Sequence, residues 1–105
     1  MDYKVILSPR AIKDLEEIVR YISLDKPKVA FRFGNALIDA ALALGHHPEM
    51  GVVVQEFDDP RIREWIHKPY RIIYRIDEAK QVIGVARFWH GAQPLFHDKV
   101  VDSES

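Results

Sequence analysis

Apolar and polar positions repeat along this chain first with a helical period and then with a period of two, so helices are expected early and strands late. Tyr3 to Leu7 is a short run of strand formers. Ser8-Pro9 follows, a hydroxyl suited to cap a helix and a proline suited to its first position. From Arg10 to Ile22 the residues Ile12, Leu15, Ile18, Val19 and Ile22 keep helical spacing, with Lys13, Asp14, Glu16, Glu17 and Arg20 on the other face. Asp25-Lys26-Pro27 starts a second helix, whose stripe of Ala30, Phe33, Leu37, Ala40, Ala41 and Leu44 runs to Gly45, read as its C-terminal stop. The connection is short, which predicts an antiparallel helix hairpin.

His46 to Gly51 reads as a loop, Val52 to Val54 as a short extended piece ending near Glu56, and Asp58-Asp59-Pro60 as a turn. Ile62 to Lys68, Tyr70 to Ile76 and Gln81 to Trp89 read as strands, with Asp77 to Lys80 closing a hairpin. The order β-α-α-β-β-β, with the Val52–Val54 piece as an optional further strand, predicts an α+β fold. An antiparallel sheet carries the helix hairpin on one face. Residues 1–98 are expected to form one domain and residues 99–105 a flexible tail.

The 105 residues suit one domain and exclude a multidomain enzyme. Apolar residues at 48% support a packed core, and a net charge of −1 leaves any nucleic-acid role to local clustering. Without cysteine, disulfides, thiolate zinc sites and Cys nucleophiles are impossible, and a cytoplasmic protein is expected. The first apolar run is too short for a signal-peptide core and no later run approaches membrane-spanning length, so no membrane partner is expected. His46, His47, His67, His90 and His97 match no metal-ligand spacing, and neither a serine elbow nor a glycine-rich phosphate loop is present. No metal or cofactor is therefore expected.

Positive charge does cluster. Arg61, Arg63, Lys68, Arg71 and Arg75 share a fifteen-residue stretch with one acid, Glu64. Strand alternation puts Arg71 and Arg75 opposite Tyr70, Ile72, Tyr74 and Ile76, away from the helices, where Arg63, Trp65, His67 and Arg87 are expected to join them. Two readings stay open: a basic face with aromatics for phosphate contact and stacking, or a solvated face paired with Glu56, Asp58, Asp59 and Glu64. His90 is either a general acid or base, or a strand-end histidine bonded to backbone. In the second helix Phe31, Ile38 and Leu42 fall off the main stripe, either covered internally or forming a partner surface.

The opening Tyr3-Lys4-Val5-Ile6-Leu7-Ser8-Pro9-Arg10-Ala11, then Asp14 to Ile18, Tyr21-Ile22, Tyr70 to Arg75 and Phe88-Trp89-His90-Gly91-Ala92 resemble the RelE/ParE superfamily of type II toxin–antitoxin toxins. These proteins are also described as plasmid-stabilisation proteins. The resemblance spans roughly residues 3 to 93. It implies a growth-inhibiting toxin neutralised by a cognate antitoxin in a hetero-oligomer. RelE-like members cleave mRNA on the ribosome; the resemblance then implies a catalytic set of Arg71, Arg87, His90 and Glu56, with Trp89-His90 standing where a terminal tyrosine is usual. ParE-like members inhibit DNA gyrase, and the His-Gly ending of the last strand leans that way. Target contacts are then Arg61, Arg63, Trp65, Lys68 and Arg75, and antitoxin contacts Phe31, Ile38 and Leu42. A toxin fold that keeps antitoxin binding but has lost its activity is a third reading.

Overall fold

The structure, a computed structural model, describes residues 2–101. Its order is β1 (Lys4–Leu7), α1 (Pro9–Ser23), α2 (Pro27–Ala43), β2 (Val52–Val53), β3 (Ile62–His67), β4 (Tyr70–Asp77), β5 (Val82–His90) and α3 (His97–Val101). The Ser8 side chain caps α1 by accepting from the Ala11 N–H at 3.0 Å, while its hydroxyl donates to the Ala86 carbonyl at 2.9 Å. The cap therefore also pins α1 to β5. Pro27 starts α2 with no side-chain cap. Gly45 is not a left-handed stop: its φ is negative and its Cβ position is filled by the Tyr3 carbonyl, so glycine is needed there for close approach.

The sheet runs β1-β5-β4-β3-β2. β3, β4 and β5 form the expected antiparallel meander, and β1 adds parallel to β5, pairing Leu7 with Val85. The helix hairpin covers one face, where Ala11, Ile18, Leu37, Ala41 and Leu44 pack on Ile72, Tyr74, Ile83, Val85 and Phe88. Gly34 lets the helices close together, because a Cβ there would lie 2.8 Å from Val19.

The opposite face is partly roofed, where the alternation had predicted an open surface. Val54, Phe57, Leu95 and Val100 pack with Ile62, Ile73 and Ala86 into a second, smaller core. Ile73 and Tyr74 are both buried because successive strand residues face opposite sides, one under each core, and the register shift beside them leaves Ala86 of β5 as an extra residue in the second core. The tail expected from residue 99 is corrected in part: α3 reaches Val101 and buries Val100, and the rest of that tail, residues 102–105, lies outside the described residues. No helix among the described residues is long and apolar enough to cross a membrane.

Candidate functional site

Strand register decides which basic side chains share a face. Ile62, Glu64 and Ile66 of β3 pair with Arg75, Ile73 and Arg71 of β4 and lie on the face away from the helices. Arg63, Trp65 and His67, expected there, pair instead with Tyr74, Ile72 and Tyr70 and lie towards the helices. Both parities of β3 carry apolar residues, so its own pattern could not choose; the burial of Ile62 under the second core does. Trp65 packs against the main core, and Lys68 is exposed in the turn before Pro69.

Arg71 spends all three nitrogens on two carboxylates. Its Nε donates to Glu64 Oε1 at 2.6 Å and its Nη1 to Glu56 Oε2 at 2.7 Å, while Nη2 reaches the second oxygen of each at 2.9 Å. Arg71 lowers the Glu56 pKa below its ordinary 4.5, and both acids raise that of Arg71. Glu56 is thus a poor proton acceptor, and an incoming phosphate would have to displace a carboxylate from a bidentate pair.

Arg87 is committed as fully. β1 ends opposite Val85, and beyond that point α1 lies along the bare edge of β5. Asp14 of α1 fills the vacancy: it accepts from Arg87 Nε at 2.7 Å and Nη2 at 2.9 Å, and from the Phe88 N–H at 3.2 Å. Arg87 Nη1 donates to the Lys99 carbonyl at 3.1 Å, and the guanidinium lies 4.8 Å from the Trp89 ring centre. Asp14 and Arg87 are buried. The role of Asp14 was missed from the sequence, where it is one of several acids on the polar side of an amphipathic helix.

His90 is not gathered with these groups. It pairs with Tyr70, whose ring it meets edge-on at 5.2 Å on the helix side, whereas Arg71 and Trp89 occupy the next row on the other side. Its Nδ1 accepts from the Ala92 N–H at 3.1 Å, the backbone-bonded role foreseen as one alternative. The expected set of Arg71, Arg87, His90 and Glu56 is therefore split between the two sides of the sheet. Among the described residues no three His, Asp or Glu side chains converge as a metal site requires.

Arg61, Arg63 and Arg75 do come together. They line a cleft of about 530 Å3 where β4 runs on past the start of β3, with Glu49, Asp77 and Glu78 on its rim. Arg61 forms a fork with Asp59 through Nε and Nη2, each at 3.0 Å, and Arg63 Nη1 donates to the Gly51 carbonyl at 2.8 Å. On α2, Phe31 is 72% exposed and Leu42 51% exposed, with Ile38 half-buried between them.

The chain matches the family described as ParE toxin of type II toxin–antitoxin system, parDE, over residues 5–95. No curated protein matches it. Among solved structures it is similar to a chain of the chromosomal ParDE toxin–antitoxin system from P. aeruginosa, at 15% identity and a TM-score of 0.71, covering 84% of this chain and 95% of that one. It is also similar to a chain of the toxin–antitoxin complex RelBE2 from Mycobacterium tuberculosis, at 21% identity and a TM-score of 0.65, covering 86% and 99%.

Proposed function

The chain belongs to the ParE toxin family of type II toxin–antitoxin systems, and from that premise we propose that it arrests growth as a protein-binding inhibitor of DNA gyrase. A cognate antitoxin neutralises it by covering the Phe31–Ile38–Leu42 side of α2, where an apolar stripe meets solvent at helical spacing. The observation that carries the choice of target is the state of the two arginines. A ribosome-dependent ribonuclease needs a guanidinium able to grip the scissile phosphate and an acid or base beside it. Here every nitrogen of Arg71 and Arg87 is already spent on carboxylates or a backbone carbonyl, and His90 lies across the sheet from Arg71. That arrangement suits a rigid binding scaffold better than a phosphate clamp.

The test is a paired assay of the purified chain: DNA supercoiling by gyrase, and toeprinting of a message on translating ribosomes. Lost supercoiling with intact message is the expected result. Cleavage within the A-site codon that Arg71→Ala abolishes would refute it, and inactivity in both assays with retained antitoxin binding would identify a toxin fold without toxicity.

A further inference from the structure

β5 continues to His90 although β1 stops opposite Val85, and the outer edge of β5 is only partly closed over that stretch. The N–H and C=O groups of alternate strand residues point to the same edge. Gly91 donates to the Pro69 carbonyl at 2.8 Å, so residues 87, 89 and 91 turn towards β4 and residues 86, 88 and 90 turn outward. The outward groups are engaged accordingly: the Ala86 carbonyl takes the Ser8 hydroxyl, the Phe88 N–H donates to Asp14, and the His90 carbonyl accepts from the Gln93 N–H at 3.0 Å. The Phe88 carbonyl and the His90 N–H find no protein partner among the described residues, and both residues border a cleft of about 530 Å3 between β5 and α1.

An acceptor and a donor placed on either side of one residue, here Trp89, are what a parallel neighbour meets. β1 already pairs with β5 in this way, where the Lys4 N–H reaches the Gln81 carbonyl and Lys4 stands beside Val82. One extended residue laid beside Trp89 would donate to Phe88 and accept from His90. A peptide backbone carries that donor and acceptor in a single residue, whereas phosphate groups offer acceptors only.

Residues in register share a face, so the side chain of this residue lies beside half-buried Trp89, away from the helices, where the indole offers apolar surface. The next side chain turns to the helix side beside His90, where Glu17, Tyr21 and Tyr70 border the cleft. Glu17 is exposed and has no cation at ion-pair distance among the described residues, and Tyr21, one turn on, is 76% exposed. Of the other charges at the cleft, Asp14 and Arg87 answer each other, and Arg10 lies 3.6 Å from Asp14, two turns before Glu17. A cation is the side chain that this end of the cleft accepts, with Glu17 as its counter-charge and tyrosine rings as its walls.

We propose that the edge of β5 past β1 docks an extended segment of a partner protein, in which an apolar residue bonded to Phe88 and His90 is followed by a basic residue held by Glu17 and Tyr21. The inference rests on the protein-binding reading above but not on gyrase as the target. A test without gyrase lets the two fail separately.

The experiment titrates the isotope-labelled full chain with the capped peptide acetyl-Gly-Val-Arg-Gly-amide and follows backbone amide and carbonyl shifts by NMR. Saturable shifts centred on the His90 N–H and the Phe88 carbonyl are expected, with Trp89 and Tyr21 following. Methylating the valine nitrogen of the peptide removes the donor to Phe88 and should abolish saturable binding. Glutamine in place of the peptide's arginine should weaken it roughly threefold, the size of an exposed ion pair. Glu17→Gln, a change to an exposed side chain, should weaken the arginine peptide by the same factor and leave the glutamine peptide unaffected. Undiminished binding of the N-methyl peptide, or equal binding of the arginine and glutamine peptides, would overturn the proposal. The same shifts on concentrating the chain alone would assign the edge to a second copy and overturn it too.

Discussion

Replacing Asp14 by alanine should unfold more of this protein than any other single change to a polar side chain. Asp14 is 5% exposed and Arg87 7%, and the carboxylate holds two N–H groups of that guanidinium together with the Phe88 backbone N–H. In Asp14→Ala the buried cation loses its counter-charge and the Phe88 N–H loses the carboxylate it donates to. Removing one partner of a buried ion pair costs about 3–5 kcal/mol, a range that already contains the ~1–3 kcal/mol of an orphaned amide. Against a total stability of about 5–15 kcal/mol the variant should be marginal, with its melting temperature down by roughly 15 °C or more. Asp14→Leu combined with Arg87→Met should recover much of the loss, because an apolar pair leaves no uncompensated charge. Urea unfolding of the single and double variants measures both numbers. A cost below about 1 kcal/mol for Asp14→Ala, or a double variant no more stable than the single, would refute the reasoning. It follows that Arg87→Ala should lose growth inhibition through loss of folded protein, so its soluble yield must accompany any activity measurement.

Arg71 holds the Glu56 carboxyl below 4.5, so the folded chain binds that proton more weakly than the unfolded chain. Its stabilisation is complete above about 4.5 and fades as pH falls through the lowered folded value; Glu56→Gln should remove that part of the acid limb in urea midpoints taken from neutral pH downward. Tyr74 is fully buried, donates to the Pro48 carbonyl at 2.8 Å and accepts from the Gly51 N–H at 3.0 Å. Tyr74→Phe should therefore cost about 1–3 kcal/mol by thermal melting, and an unchanged melting temperature would mean those backbone groups find other partners. Gly51→Ala would drive a methyl into the Glu64 carbonyl and the Tyr74 hydroxyl, with an expected loss of at least ~2 kcal/mol by chemical unfolding.

The local elements could be read from sequence because their signals are local. Ser8-Pro9 names a helix start within two residues, and the alternation from Tyr70 to Ile76 names a strand without reference to anything else. The pairings could not be read in this way. Asp14 meets Arg87 across 73 positions of sequence, and nothing in α1 distinguishes that acid from Glu16 or Glu17. The parity of β3 depends on what covers Ile62, a core made by the irregular Val54–Phe57 stretch together with Leu95 and Val100 from the far end of the chain. One buried residue, Val100, is too few to show a helical period in α3, so nothing local separates its last three residues, 99–101, from a tail. The family resemblance transferred positions for Arg71, Arg87 and Glu56, and the reading of a paired face named Glu56 and Glu64, which hold Arg71, but not Asp14, which holds Arg87.

The parallel pairing of β1 with β5 has a consequence for the growing chain. Lys4 waits for Val82 before it has a neighbour, and β5 is also the strand against which β4 and α1 rest. Contacts this distant in sequence close late and slow the search for the native state. A ribosome that stops short of Val82 releases helices without the strand that joins both halves of the sheet, a product open to proteolysis and aggregation. The folded toxin domain thus becomes a property of chains read at least through β5, and an interrupted message yields fragments that lack the strand joining both halves of the sheet.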